Sequence, residues 1–431
     1  MEEILTGFDF PTEQPAIIKV IGVGGGGGNA VTYMYKQGIP DVTFALCNTD
    51  NQALIKSEVP VKLQLGKQIT KGLGAGNKPH IARKAAEESI PDLQKLLDDE
   101  TKMVFITAGM GGGTGTGAAP VIAKVSKEMD ILTVGIVTIP FLFEGKAKIL
   151  QALRGVEEIR KNVDALLVIN NQKLLTIYDD LGMIESFKKA DSTLTTAARS
   201  IAEIITLPGI INLDFADVNT TLKDGGVAIM NSGFGQGENR VAKAFDDALN
   251  SPLLNNNNVF HAKRILFNIY FNPEKELKIN EMNEVTDFMA KFEKGIEVIW
   301  GTASDSNLDE DRMKVTILAA GFDVENIDPL MREVLDEQQN LTAQEKLARA
   351  QQEEEEAEKE RDLIGKYYGA DAANIGSATK PKPFIFTSIE QMDDNETIEA
   401  LINHPAYNRN SKIMLDIAQK AEERRKADAI Q

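Results

Sequence analysis

The sequence contains one cysteine and three histidines, and it lacks any long apolar run. Cys47 alone cannot form a disulfide framework, and the histidines are too widely spaced for a metal-ligand pattern. No stretch of 18 apolar residues indicates a membrane span, and the N-terminus has no signal-peptide pattern. We therefore expect a cytoplasmic protein with no resident metal site and no direct insertion into a membrane.

Positive charge is also scarce. The chain has 47 Lys and Arg residues against 65 Asp and Glu, which leaves a formal net charge of −18. This excess would repel phosphate-rich surfaces, so nucleic acid is not expected as a partner. The chain does have length and apolar content, with 431 residues of which 42% are hydrophobic. That is enough for two domains with buried cores.

Short apolar runs alternate with helical segments in the first part of the chain. Strands are predicted at 16–23, 43–47, 102–108, 131–139 and 164–170, and helices at 29–37, 78–97 and 121–129. Strands of this kind, separated by helices, predict a parallel sheet that is covered on both faces.

A long helical stretch at 185–207 follows, and Pro208 and Gly209 end it. Beyond it we predict strands at 225–235, 263–271, 294–303 and 312–322, with helices at 238–249 and 281–292. These elements indicate a second α/β domain with a sheet of its own.

The sequence changes character beyond residue 328. Residues 343–361 are a run of charges, which predicts a solvated tether, and apolar residues return at 396–410. This return is typical of a docking peptide, with a packed tail segment as the alternative. The predicted organisation is a flexible extension (1–14), a first domain (15–184), a central helix (185–209), a second domain (210–328), a charged linker (329–395), and a terminal peptide with its tail (396–431).

Three glycine-rich loops mark the first domain. They read GVGGGGGN (22–29), KGLGAGNKP (71–79) and GMGGGTGTGAAP (109–120), and each precedes a predicted helix. Backbone N–H groups without side chains can converge on an anion, and a helix N-terminus adds partial positive charge. Three such loops predict a triphosphate site, whereas close helix–strand packing would explain only one or two of the glycines. No Walker A motif is present, because no Gly-Lys pair is followed by Ser or Thr.

The stretch GGGTGTG (111–117) resembles the signature of the tubulin and FtsZ family. NTDNQAL (48–54), FLFEGK (141–146), NNQKLL (170–175) and ITLPGIINLDFADV (205–218) follow the family's order. The resemblance covers about residues 15 to 325. It implies a Rossmann-like GTP-binding domain, a long central helix, a second α/β domain with a mixed sheet, and a disordered C-terminal tail. It also implies a GTPase that binds GTP and GDP with Mg²⁺ and polymerises head to tail in the bacterial division ring at mid-cell.

The resemblance assigns nucleotide contacts residue by residue. The first loop would touch the nucleotide through Gly24, Gly25, Gly26 and Asn29, and Gly74, Ala75 and Gly76 of the second loop would lie beside the γ-phosphate. The phosphates would be cradled by the third loop, through Gly111, Gly112, Gly113, Thr114, Gly115 and Thr116. Glu144 would face the ribose, and Asn171 would contact the ribose or the base. Lys148 stands where the family usually has Arg, so it would contact phosphate as a point charge rather than as a bidentate fork.

Guanine recognition is assigned to two residues on one face of the long helix. Phe187 would pack on the guanine ring, and Asp191, four residues later, could accept hydrogen bonds from guanine N1–H and N2–H₂ together. Adenine cannot offer this pair of donors. Without the resemblance, Phe187 would be interpreted as an ordinary core aromatic and Asp191 as a solvated helix charge.

The catalytic candidates lie far along the chain in NLDFAD (212–217). Asp214 and Asp217, with Asn212, could orient the attacking water. The long helix rises ~1.5 Å per residue, which would separate these acids from Phe187 by about 30 Å. A second chain stacked head to tail could bring them to the γ-phosphate, as the resemblance also implies. The alternative is a capped turn after Pro208-Gly209.

The terminal HPAYNR (404–409) resembles the family's partner-binding peptide. It implies that membrane-tethering division proteins bind through residues 396–415. Two other functions stay open on the sequence. Gly22, Gly24 and Gly27 fit the dinucleotide fingerprint of an NAD-dependent oxidoreductase, and a tubulin-like scaffold could bind GTP without hydrolysing it.

Overall fold

The computed structural model describes residues 16–177, 182–250, 259, 262–292 and 295–322. The predicted extension 1–14, linker 329–395 and terminal segment 396–431 lie outside the described residues. Among the described residues, no helix is both long and apolar enough to cross a membrane.

The described residues contain eleven strands and eleven α-helices. The first part comprises β1 (Ile18–Val23), α1 (Gly24–Gln37), β2 (Val42–Asn48), α2 (Asn51–Lys56), β3 (Val61–Gln64), α3 (Pro79–Glu88), α4 (Ile90–Leu97), β4 (Met103–Gly109), α5 (Thr114–Glu128), β5 (Leu132–Ile139), α6 (Lys146–Arg160), β6 (Ala165–Asn170) and α7 (Asn171–Ile177). The second part comprises α8 (Met183–Thr206), β7 (Gly209–Ile211), α9 (Phe215–Leu222), β8 (Gly226–Gln236), α10 (Arg240–Leu249), β9 (Arg264–Phe271), α11 (Met282–Met289), β10 (Glu297–Ser304) and β11 (Arg312–Phe322).

All eleven strands belong to one sheet, in the order β3-β2-β1-β4-β5-β6-β8-β11-β9-β10-β7. The pairs from β3 to β6 are parallel, whereas β11 runs antiparallel to both β8 and β9. The parallel and mixed parts meet through only two pairs, Ala165–Gly226 and Leu166–Val227. The parallel first part and the mixed second part are therefore confirmed. The prediction of a separate second sheet is wrong, because this short ladder joins the two.

The long helix α8 packs against the parallel part of the sheet. Its residues Leu194, Ala197 and Ile201 are buried in one core cluster with side chains of β1, β4 and β5. A second cluster surrounds Phe267 on β9, which meets Phe245 of α10 with ring centroids 5.3 Å apart. The first of these clusters buries the apolar face of α8, as expected for an amphipathic helix that packs on a sheet.

The largest differences between the predicted and the observed helices fall in three segments. α1 begins at Gly24 and α5 at Thr114, so both start within the glycine-rich segments rather than after them. The segment 78–97 forms two helices that meet at Ser89. Pro91 lies in the first turn of α4, where a missing N–H is tolerated, and it could not continue α3.

Candidate functional site

The three glycine loops lie against one another at the carboxyl ends of β1 and β4. A Cβ on Gly24 would stand 2.8 Å from the backbone nitrogen of Gly115, which joins the first loop to the third. A Cβ on Gly113 would stand 3.1 Å from Cα of Asn77, which joins the third loop to the second. The predicted convergence of the loops is thus present in the fold, at the edge where parallel sheets bind ligands.

The glycines of these loops serve two different purposes. Gly27, Gly115 and Gly117 pack so closely that a Cβ would stand 2.1, 2.5 and 2.0 Å, respectively, from a backbone carbonyl oxygen. By contrast, a Cβ on Gly25 or Gly112 would meet nothing within 4 Å. Close packing therefore explains more of the glycines than we expected from the sequence. The open positions are the ones where a ligand can approach the backbone.

The backbone of the third loop is held by hydrogen bonds. The N–H of Gly111 donates to Oγ1 of the buried Thr116 at 2.9 Å. Oγ1 of Thr114 lies 2.7 Å from Oγ1 of Thr49. The N–H groups of Gly112 and Gly113 donate to no acceptor within the described parts of the chain. Two of the predicted phosphate-binding donors are thus available, while Gly111 and Thr116 hold the loop in shape.

One open cleft of about 780 Å³ gathers eight of the predicted nucleotide residues. They are Gly26, Asn29, Gly112, Glu144, Lys148, Asn171, Phe187 and Asp191. Gly24 and Gly25 line a second pocket, which shares Asn29 with the cleft. Gly74, Ala75 and Gly76 lie in the second loop, beside the third.

An aromatic cluster forms one end of the cleft. Phe187 is 37% exposed, so it is not an ordinary core residue. Its ring meets the buried ring of Phe141 edge to face at 5.2 Å between centroids. Phe141 in turn stacks on Phe143 at 5.0 Å. This arrangement fixes the plane of Phe187 while leaving part of its surface open for a planar ligand.

Burial affects two polar side chains near this aromatic end, those of Asp191 and Asn171. Burial raises the pKa of Asp191 to about 7, because desolvation penalises its charged form. Oδ1 of Asn171 is buried and has no hydrogen-bond partner among the described residues. A buried acceptor without a donor costs free energy, so both groups favour a ligand that brings hydrogen-bond donors.

Glu144 and Lys148, which also line the cleft, form an ion pair. Nζ of Lys148 donates to Oε2 of Glu144 at 2.5 Å, across one turn of chain. The other carboxylate oxygen, Oε1, accepts from the N–H of Phe141 at 2.9 Å. Glu144 is therefore fixed in position, and Lys148 is drawn toward the carboxylate while its ammonium stays partly exposed.

The predicted catalytic residues lie elsewhere in the molecule. α8 begins at the cleft with Phe187 and Asp191, and its 24 residues span about 36 Å. At the far end, α9 is followed by Lys223, whose Nζ lies 3.3 Å from the Asp130 carboxylate. Asp130 precedes β5, whereas the cleft lies beyond the end of that strand. The structure thus does not bring Asp214 and Asp217 to the cleft of the same chain.

Asp214 and Asp217 form a reciprocal cap at the start of α9. Oδ1 of Asp214 accepts from the N–H groups of Ala216 and Asp217 at 2.7 and 3.3 Å. Oδ2 of Asp217 accepts from the N–H of Asp214 at 2.9 Å. Oδ1 of the exposed Asn212 accepts from the N–H of Gly209 at 3.0 Å. The capped turn that the sequence offered as the alternative is therefore present, and it holds both acids in fixed positions.

The structure adds residues that the sequence analysis missed. Thr138 and Leu194 line the cleft, and Gln151 on α6 reaches the third glycine loop. No sequence signal pointed to Gln151, because its hydrogen bonds to that loop end on backbone carbonyl groups.

The fold and the cleft together define a nucleotide-binding protein of the tubulin type. The defining features are a parallel sheet with three glycine-rich loops, a cleft beside a long central helix, and a second part in which the sheet is mixed. Residues 17–179 match the sequence model of the GTPase domain of the Tubulin/FtsZ family. Residues 226–323 match that of the C-terminal domain of the FtsZ family.

Individual relatives agree with these matches. The chain is 52% identical over 416 residues to the cell division protein FtsZ of Porphyromonas gingivalis, covering 96% of this chain and 90% of the relative. It is 44% identical over 322 residues to the FtsZ of Aquifex aeolicus, covering 74% and 87%. The structure of an empty FtsZ dimer from M. jannaschii superposes with a TM-score of 0.65 at 38% identity, covering 72% of this chain and 89% of that one.

The chain belongs to the FtsZ family. It is a GTP-dependent cytoskeletal GTPase that binds guanine nucleotide. These similarities lend no support to an NAD-dependent oxidoreductase or to a non-hydrolysing scaffold.

Proposed function

We propose that the cleft holds GTP, that subunits stack head to tail, and that each nucleotide is hydrolysed where two subunits meet. The observation that carries this proposal is the separation along α8 of the cleft residues Phe187 and Asp191 from the acids Asp214 and Asp217, which lie beyond the end of the helix at Thr206, about 22 to 29 Å further on. A rigid element of that length keeps the two halves of the reaction centre apart in one chain. A neighbouring copy can unite them.

Within the cleft, the guanine would lie against Phe187 and donate to Asp191, and the ribose would meet Glu144 and Asn171. The phosphates would accept from the free N–H groups of Gly112 and Gly113. The other predicted contacts to the phosphates or their surroundings are Gly24, Gly25, Gly26, Asn29, Gly74, Ala75, Gly76, Gly111, Thr114, Gly115, Thr116 and Lys148. The unpartnered acceptor of Asn171 and the open glycine positions support this pose.

Mg²⁺ is the cation that we expect with the nucleotide. Within the described residues, no three His, Cys, Asp or Glu side chains are grouped to hold a metal ion. This fits a cation that is held mainly by phosphate oxygens and water. Asp50 lies against the second loop, with its Cβ 3.8 Å from the position of a Cβ on Gly74, and it could accept from a metal-bound water. Bound Mg²⁺ would neutralise charge on the phosphates.

Exposed apolar side chains lie near both ends of the proposed contact. Leu73 in the second loop is 84% exposed, and Leu142 and Phe143 beside Glu144 are also exposed. At the other end, Ile210 is 72% exposed and Ile211 is exposed, next to Asn212. Such residues are typical of surfaces that become buried on association, which supports a contact between these two faces of successive subunits.

Hydrolysis would then use the acids of the neighbouring subunit. Asp214 and Asp217 of that subunit would orient the attacking water and accept its proton, and Asn212 would assist. Each carboxylate uses one oxygen in the cap, so the other stays available. Positioned acid–base help of this kind accelerates a reaction by about 10² to 10⁴.

A mixing experiment tests whether two chains form one site. Asp214→Asn removes the acid, and Asp191→Ala weakens nucleotide binding, so each variant alone should hydrolyse GTP poorly. In a random equimolar mixture about one quarter of the contacts join an intact cleft to intact acids, and about that fraction of the wild-type rate should return. The matched control mixes Asp214→Asn with a double variant that carries both Asp214→Asn and Asp191→Ala. Because neither partner then has Asp214, no contact in this mixture contains intact acids.

The proposal fails if the first mixture stays as inactive as the control while both variants still assemble. Dilution gives a second test on the wild-type chain. Phosphate release per subunit should fall steeply below the assembly threshold, and a specific rate that is independent of concentration would exclude catalysis across subunits.

We also propose that residues 396–415 bind membrane-tethering division proteins and so bring the filaments to a ring at mid-cell. The support is the sequence HPAYNR (404–409), together with the relatives named as cell division proteins. Deleting residues 396–431 should leave the GTPase rate unchanged and abolish recruitment to the mid-cell membrane. Loss of GTPase activity in that variant would contradict this division of roles.

A further inference from the structure

The side chain of Gln151 bridges two of the three glycine loops. Its Nε2 donates to the carbonyl oxygens of Gly111 at 3.0 Å and Gly112 at 3.2 Å. The same nitrogen lies 3.3 Å from Oδ1 of Asn77 in the second loop. The two loop acceptors are carbonyl oxygens, which can only accept, so the opposite orientation of the Gln151 amide would place oxygen against oxygen.

These hydrogen bonds set the direction of two peptide groups. In a trans peptide the C=O of one residue and the N–H of the next point to opposite sides. With the carbonyl groups of Gly111 and Gly112 turned toward Gln151, the N–H groups of Gly112 and Gly113 point away from it. These are the same two N–H groups that have no acceptor within the described chain, and Gly112 lines the cleft.

A glycine loop needs such an external restraint. Glycine restricts its own backbone less than any other residue, and Gly111 adopts a φ of +96°, a conformation that side-chain-bearing residues rarely take. Thr116 fixes the start of the loop by accepting from the N–H of Gly111. Gln151 fixes the next two peptide groups. Donors that are aligned before the ligand arrives bind it without a further loss of backbone entropy.

We propose that Gln151 is a positioning residue that aligns the N–H groups of Gly112 and Gly113 toward the phosphates of the nucleotide. It acts through the loop and does not touch the ligand. The inference rests on the proposed nucleotide cleft. It predicts that Gln151 affects only the part of the binding affinity that the phosphates contribute.

The test compares a ligand with phosphates and one without. In Gln151→Met, which keeps the length of the side chain but removes its donor, the Kd for GDP should rise about tenfold, equivalent to about 1.4 kcal/mol. The Kd for guanosine should stay within about twofold of the wild-type value. Gln151→Glu is a second, isosteric variant that has no donor at neutral pH and should weaken GDP binding at least as much.

The matched control is Arg154→Ala. Arg154 is exposed and lies one turn further along α6, so neither ligand should be affected. Thermal unfolding of each variant confirms that it is folded. Unchanged GDP affinity in both Gln151 variants would overturn the inference, and so would an equal loss of GDP and guanosine affinity, which would show a role in the fold alone. If wild-type protein binds GDP no more tightly than guanosine, the proposed phosphate site itself fails.

Discussion

The buried carboxyl group of Asp191 makes nucleotide affinity depend on pH. Burial raises its pKa to about 7, whereas the proposed hydrogen bonds from guanine N1–H and N2–H₂ require the carboxylate. Between pH 8 and pH 6 the ionised fraction of such a group falls from about 91% to about 9%. Because only the ionised fraction is competent to bind, the Kd for GDP should rise about tenfold over this range.

The same group links pH to the stability of the free chain. A carboxyl group with a raised pKa holds its proton more tightly in the folded chain than in the unfolded chain. Its contribution to stability is therefore present at low pH and is lost as pH rises from about 4 to about 7. The free energy of unfolding should therefore differ between these two pH values by at most ~4 kcal/mol. Bound guanine should offset this penalty, so GDP should raise the unfolding temperature more at pH 8 than at pH 6.

The assay is fluorescence titration with a labelled GDP at half-unit steps from pH 5.5 to 8.5. The phosphates of the nucleotide also titrate, and the second pKa of a phosphate monoester is about 6. Asp191→Asn provides the control, because it keeps this background and removes the carboxyl group. It should bind more weakly at pH 8 and show a much flatter profile. The reasoning is refuted if both proteins show the same pH profile.

Three further predictions concern stability. The free energy of unfolding of Asp214→Asn, measured with urea, should lie within about 0.5 kcal/mol of the wild-type value, because Asn caps a helix as well as Asp. That of Asp214→Ala should fall by about 1 kcal/mol. Gly117→Ala places a Cβ 2.0 Å from the carbonyl oxygen of Pro79, so its free energy of unfolding should fall by more than about 2 kcal/mol. Gly112→Ala meets no such contact, so it should keep its stability but bind GTP more weakly. Asp164→Ala removes the acceptor of the Thr133 N–H and the buried ion-pair partner of Lys127, so its free energy of unfolding should fall by more than about 1 kcal/mol; a smaller loss in the same assay would contradict this role of Asp164.

The parts of the fold that could be predicted are those whose sequence pattern reflects burial. β1, β4, β5 and β6 read as continuous apolar runs because helices cover both faces of the sheet, and their predicted bounds agree with the structure to within a residue or two. β3 was missed, since VKLQ is a short edge strand with exposed Val61 and has no apolar run. The starts of α1 and α5 were missed because contacts that are remote in sequence decide whether glycine continues a helix.

The site could be predicted only in part, for a similar reason. The glycine loops have a local signature, and the resemblance located Glu144, Phe187 and Asp191, which the structure gathers in one cleft. The contacts of Gln151 with Gly111 and Gly112 cross about 40 residues and end on carbonyl groups, which every residue carries. The amino-acid sequence therefore carries no local signal for these contacts.

The reciprocal cap at Asp214 and Asp217 bears on how catalysis would be switched on. Each acid accepts a backbone N–H of the other, so the pair is already ordered in a single subunit and needs no rearrangement when a neighbour arrives. α8 likewise holds the pair at a fixed distance from the chain's own cleft. If neither half of the centre changes shape, the only missing element before assembly is proximity. GTP hydrolysis should then begin at the same subunit concentration as filament formation, without a separate activation step.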